Sequence, residues 1–243
     1  MRCLTFAKRT AKEILRDPLT LLFGLGFPVV LVLLLSAIQA NVPVPMFEIQ
    51  TLAPGMTVFG LSFITLFSAT LIAKDRESAL LQRLYATPMT GWDFILGYTL
   101  PLLPIAFAQS VCCFLVGALL GLKLTTHILL AALLVLPISI FFIGMGLLLG
   151  SVLNQKQVGG ICGALLTNLT AWLSGIWFDL ELVGGTFQKI ANLLPFVHGV
   201  ELEQAVAAGD LIAGLPHLLW VLGYGLVAMV LAVAVFFKKM QTF

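Results

Sequence analysis

Side chains able to do covalent or metal chemistry are few in this sequence and poorly spaced for it. The histidines are His127, His198 and His217, and the cysteines are Cys3, Cys112, Cys113 and Cys162. Nucleophilic catalysis needs a Ser, Cys or Thr beside a base, and metal catalysis needs several ligands in register. Here the histidines fall at or beyond the rims of long apolar runs. None forms a ligand-like pair with another His, Asp or Glu inside such a run. Adjacent Cys112 and Cys113 do not match metal-ligand spacing, so the cysteines within apolar runs read as small packing residues, and His198 reads as a hydrogen-bonded structural residue. No Gly-x-x-x-x-Gly-Lys-Ser/Thr loop occurs to cradle nucleotide phosphates. The chain is therefore expected to be no enzyme, with no catalytic residue, metal ligand or bound cofactor of its own.

Two other groups of residues could do work of a different kind. The first is the charged tract Asp75-Arg76-Glu77, followed by Leu80, Leu81, Gln82, Arg83 and Leu84 and stopped by Thr87-Pro88. Leu80, Leu81 and Leu84 share one helical face with charges around it, and the residue before Pro88 disfavours helix. Residues 74–88 thus read as a short amphipathic helix, a rigid knob that a partner could push. The second group is polar but uncharged and lies inside apolar runs: Ser62, Thr65, Ser68, Thr70, Gln109, Thr167, Asn168, Thr170 and Ser174. Such groups either bond helix to helix or line a route for polar or amphiphilic cargo.

The elements that must position these residues follow from composition. The chain is 60% hydrophobic and 10% charged, with a mean hydropathy of +1.08, where soluble domains carry about 25% charged residues. An α-helix crossing a hydrocarbon core of roughly 30 Å takes about 20 apolar residues. Six such segments can be placed, near Leu19 to Gln39, Thr51 to Ala73, Phe94 to Gly121, Thr125 to Leu153, Val158 to Phe178 and Leu215 to Phe237. The expected fold is an all-α membrane protein forming a single transmembrane domain over residues 1–243. None of the six contains Asp, Glu, Lys or Arg, the residues that mark ion pathways at membrane depth.

Charge sets the orientation. Arg2, Lys8, Arg9, Lys12, Arg16, Lys74, Arg76, Arg83, Lys156, Lys238 and Lys239 lie on one set of flanks, 11 of the 13 basic residues, and only Lys123 and Lys189 lie on the other. Basic flanks stay in the cytoplasm, so both termini and residues 74–88 are expected there, in a cell inner (cytoplasmic) membrane. The opposite face carries Glu48, Asp179, Glu181, Glu201, Glu203 and Asp210. A net charge of +2 is the remainder of two opposed faces and gives no reason to expect nucleic acid as a partner.

Around the spans, residues 1–17 place Leu4, Ala7, Ala11, Ile14 and Leu15 at helical spacing among basic side chains. This is the pattern of an interfacial helix against membrane lipid, serving as an anchor or as a docking surface. Asp17-Pro18 ends it. Residues 179–214 form an apolar external segment too hydrophobic for a solvated loop. A short re-entrant helix is expected there, closed at Gly209. Glycines four apart, at Gly117 and Gly121, Gly146 and Gly150, and Gly159 and Gly163, permit close helix packing or dimerisation.

At Arg16-Asp17-Pro18, Phe27-Pro28, Asp75-Arg76-Glu77 through Leu84-Tyr85-Ala86-Thr87-Pro88, and Pro195-Phe196-Val197-His198, the chain resembles the membrane subunits of type 2 ATP-binding-cassette exporters. The daunorubicin-resistance-like drug permeases are the subgroup it most resembles. The resemblance implies an exporter subunit moving a drug, natural product, lipid or lipidated peptide outward. It implies a nucleotide-binding ATPase subunit that binds ATP and Mg2+, and a second copy or homologous permease as partner. It assigns ATPase coupling to Asp75, Arg76, Glu77, Leu80, Leu81, Arg83, Leu84 and Pro88. Candidate pathway residues are Ser62, Thr65, Gln109, Thr167, Asn168, Thr170 and Ser174. Polysaccharide or teichoic-acid export, or an ion-coupled carrier or channel, is the alternative.

Overall fold

The computed structural model describes residues 2–42, 44–78, 80 and 89–240. The expected coupling residues Leu81, Arg83, Leu84 and Pro88 lie outside the described residues. Among the described residues every regular element is helical. Helix α1 spans Arg2–Leu15, and Asp17 then opens α2, Pro18–Asn41, which winds as a π-helix over Leu22–Gly26. Asp17 Oδ1 accepts from the backbone N–H groups of Leu19 and Thr20 at 3.1 and 3.3 Å, and Pro18, with no N–H to offer, sits in the first turn. Next come α3 (Ile49–Glu77), α4 (Gly91–Leu119) and α5 (Thr126–Val152).

A sixth helical run, α6, begins at Gln155–Val158, winds as a π-helix through Gly159–Leu166 and returns to α-helix over Thr167–Leu173. Short helices α7 (Leu180–Val183) and α8 (Gly185–Leu193) precede α9 (Pro195–Ala208), and α10 (Leu211–Met240) closes the chain. Five helices, α2, α3, α4, α5 and α10, are long and apolar enough to cross a membrane. The segment placed as a span near Val158 to Phe178 is α6, shorter and diluted by Gln155, Lys156, Gln157 and Asn168. It does not reach the length and hydropathy of the other five.

Helix α3 is the axis of the bundle. Of its most apolar stretch 89% is buried, against 28% for α2 and for α10. Small residues let α5 close on it: a Cβ at Gly146 would strike Ser68, and one at Gly150 would lie 2.8 Å from the Ala69 Cα. At that approach the Thr65 hydroxyl donates to the Phe142 carbonyl at 2.9 Å, and Ser68 reaches the Ile143 carbonyl at 3.4 Å. Both hydroxyls are wholly buried.

Helix α1 is not simply laid on a membrane surface. Phe6, Ala7, Thr10 and Ile14 form its buried face. Phe6 inserts where Gly97 leaves no Cβ on α4, edge-on to Phe94 and Tyr98 at ring separations of 5.6 and 5.0 Å. Of the expected apolar stripe, Ala7 and Ile14 turn inward, while Leu4 and Leu15 remain exposed on an adjoining face.

Candidate functional site

The end of α3 gathers the charges. This helix continues without a break past the expected end of its span, so Asp75, Arg76 and Glu77 form its last turn, not the start of a separate knob. Successive residues on a helix point about 100° apart, so three consecutive charged side chains reach three different neighbours.

Asp75 points into the bundle and is 1% exposed. Arg9 of α1 holds it with both guanidinium arms, Nη1 to Oδ2 at 2.6 Å and Nη2 to Oδ1 at 2.7 Å. The Tyr98 hydroxyl on α4 donates to Oδ2 at 2.7 Å. Arg9 also meets Glu13, and Glu13 meets Lys74, each at 2.7 Å. Burial works against the charge on Arg9. The hydrogen bond and charge of Asp75, with that of Glu13, outweigh it and hold the guanidinium above its ordinary pKa. A buried carboxylate is tolerable only when its lone pairs are this fully engaged.

Arg76 turns to α5, donating to the carbonyls of Gly150 at 3.0 Å and Leu153 at 3.4 Å. These lie in the last turn of α5, where carbonyls lack helical partners and a cation is favourable. The Glu77 carboxylate accepts from the backbone N–H of Gln155 at 2.8 Å, at the start of α6, where an orphan donor and the positive helix end favour an anion. One turn of α3 thus fastens α1, α4, α5 and α6. Leu80 beyond it is half-buried. Beside the joint, a groove of about 860 Å³ is lined by Lys8, Arg9, Lys12, Glu13, Arg16 and Lys74 among others.

The chain matches the ABC-2 type transporter family over residues 1–206. It belongs to that family. Compared with curated proteins it has no significant match. The ABC-2 type assignment makes the chain a multi-pass membrane protein, the transmembrane permease component of an ABC transporter, whose family works with an ATP-binding subunit.

Candidate pathway residues of this ABC-2 subunit fall into two groups. Ser62, Thr65 and Gln109 are wholly buried between helices. Thr65 is occupied by α5, Gln109 donates toward the Met56 carbonyl at 3.5 Å, and the Ser62 hydroxyl and Gln109 carbonyl oxygen have no partner among the described residues. On α6, Thr167, Asn168, Thr170 and Ser174 bond back to carbonyls of their own helical run, at Cys162, Ala164, Leu166 and Ala171. Of these four only Asn168 is exposed, while Thr170 and Ser174 are buried. The structure therefore does not gather the seven around one cavity.

At the opposite end of the ABC-2 bundle the structure assembles what the sequence kept apart. His198 and His217 are 19 residues apart, yet their Nδ1 atoms lie 3.0 Å from each other. Glu201 Oε2 is 3.1 Å from His217 Nδ1 and 3.5 Å from His198 Nδ1. The sequence expectation concerned pairs inside the apolar runs; outside them, the αL turn at Gly209, φ 91°, folds α10 back beside α9 and brings these side chains together. Glu203, expected on the acidic outer face, is instead wholly buried, and neither carboxylate oxygen has a partner among the described residues. Burial pushes its carboxyl well above the ordinary range, favouring the protonated form.

Proposed function

We propose that this chain is the membrane subunit of an exporter of the daunorubicin-resistance-like kind, moving an amphiphilic or hydrophobic molecule outward. ATP and Mg2+ would be held by a separate ATPase subunit. In this reading α6 is the sixth span, the chain lies in the cell inner membrane, and both termini, α1 and the end of α3 face the cytoplasm. The observation that carries it is the joint at Asp75, Arg76 and Glu77. A push delivered beyond Glu77, at Leu80 and the residues after it, reaches α1, α4, α5 and α6 together through bonds of 2.6 to 3.4 Å. Rigid transmission of this kind converts nucleotide-driven closure into a change of access.

The basic groove on α1 would meet anionic lipid headgroups. Pairing with a second copy or a homologous permease would use a lipid-facing surface. Gly159 and Gly160 of α6, which have open space where a Cβ would stand, offer one such approach. The test is accumulation of a fluorescent amphiphilic dye by inside-out vesicles containing the chain and its ATPase. ATP-dependent uptake that Asp75→Ala abolishes supports the reading. Uptake driven by a proton gradient without ATP would overturn it in favour of an ion-coupled carrier.

A further inference from the structure

The cluster at the end of the bundle opposite Asp75 has the make-up of a metal site. His198 and Glu201 stand one turn apart on α9, and His217 reaches them from the second turn of α10. The three atoms His198 Nδ1, His217 Nδ1 and Glu201 Oε2 form a triangle with edges of 3.0, 3.1 and 3.5 Å. Ligands about 2.1 Å from one ion stand roughly 3.0 Å apart at octahedral angles and roughly 3.4 Å apart at tetrahedral angles. The triangle already spans that range. A common centre at metal-ligand distance therefore needs only small side-chain adjustments.

The protons point the same way. His198 Nε2 lies 2.9 Å from the backbone carbonyl of Asn192, and a carbonyl can only accept, so Nε2 carries the proton. In the neutral ring this leaves Nδ1 as a bare lone pair aimed at the cluster. Metal-binding imidazoles are held in this way by a carbonyl on the far nitrogen. Trp220 fixes the ring further, stacked on it at 4.9 Å and 19°, and Tyr224 behind Trp220 is tied by its hydroxyl to the Leu193 carbonyl at 2.7 Å.

Access and field fit as well. The His217 side chain is 26% exposed and that of Glu201 43%, so a fourth position opens to solvent. Glu201 and Asn192 also border a cavity of about 280 Å³ whose rim carries Asp179 and Glu181, an acidic approach for a cation.

We propose that His198, Glu201 and His217 form a binding site for a divalent transition metal, with Zn2+ the best match to two imidazoles and one carboxylate. Bound there, the ion ties α9 to α10 across the Gly209 turn and fixes the far rim of the bundle. The site does not depend on the transport reading.

The full chain in detergent, stripped with a chelator and titrated with ZnCl2 by calorimetry, is expected to take up one ion per chain saturably. Bound Zn2+ is expected to raise its melting temperature. Co2+ in place of Zn2+ should develop the visible absorption of a low-symmetry site. Glu201→Gln and His217→Ala should each weaken uptake at least tenfold and abolish the Zn2+ shift in melting. His127→Ala, a histidine outside the triangle, should keep all three responses. Absence of saturable uptake by the folded wild-type chain overturns the proposal. So does equal affinity in Glu201→Gln, whose near-isosteric, part-exposed side chain gives the test even where His217→Ala does not fold.

Discussion

The two ends of the bundle treat buried polar groups in opposite ways. At the Asp75 end the buried charge is fully engaged: a carboxylate 1% exposed accepts two bonds from Arg9 and one from Tyr98, and the neighbouring charges close the last turn of α5 and the first of α6. At the His198 end three ligand atoms face one another within 3.5 Å, and Glu203 is buried with neither carboxylate oxygen partnered among the described residues. A saturated network specifies one arrangement and resists displacement, whereas an unsaturated one is costly until something binds or titrates. In the proposed reading the first end transmits a force and the second receives a ligand.

The sharpest way to break this contrast is Asp75→Ala. It leaves Arg9 with Glu13 alone and releases α1 and α4 together; because the Arg9 side chain is 37% exposed, the loss should fall at the low end for a broken buried pair, about 3 kcal/mol. Unfolding of the purified chain in a mixed-micelle denaturant series should show that loss. A change below about 1 kcal/mol would mean the carboxylate is not holding the joint. Tyr98→Phe removes one hydrogen bond to a charged group and leaves the Arg9 fork intact, so the same assay should give about 1.5–3 kcal/mol. Glu77→Ala removes one acceptor at the start of α6, whose N-cap Asn154 remains, with an expected loss of about 1 kcal/mol or less.

At the other end the expected effect is smaller and depends on pH. The raised Glu203 carboxyl keeps its proton in the folded chain, while the unfolded chain releases it above an ordinary value near 4.5. Stability from that proton is complete below the unfolded value and is lost as pH rises through the raised folded value. Glu203→Gln should therefore flatten the decline of stability between the unfolded value and the raised folded value. The same slope in mutant and wild type would show that Glu203 is ionised and paired after all.

Much of the bundle could be read directly from apolar runs, because a helix in lipid needs a long uninterrupted stretch and few charges. Helices α2, α3, α4, α5 and α10 stand out on that basis. The segment near Val158 to Phe178 reads as a sixth span on the same basis, but Asn168 within it and Lys156 just before it leave α6 shorter and less apolar than the other five. The Asp75-Arg76-Glu77 tract was visible as a place of importance, but not its direction. A partner surface was expected of it, and the structure turns its first residue fully inward, because Arg9 and Tyr98 lie 66 and 23 residues away and nothing local announces either. The histidine cluster was hidden for the same reason. Its one sequence clue is a His and a Glu three apart on a helix that an αL glycine folds back toward a second His. The internal hydroxyls allowed two readings, and at Thr65 and Ser68 the bonds to α5 carbonyls favour helix attachment.

In the proposed reading the end of α3 is where the ATP-binding subunit moves this chain. The most direct test is recovery of the tagged chain from its own membranes in mild detergent, with the co-purifying ATPase quantified for the wild type, Asp75→Ala and Arg76→Ala. The account predicts an ATP-binding subunit in about equal amount with the wild type and its loss from both variants while they remain folded in the membrane. Undiminished recovery of the ATPase with both variants would contradict it.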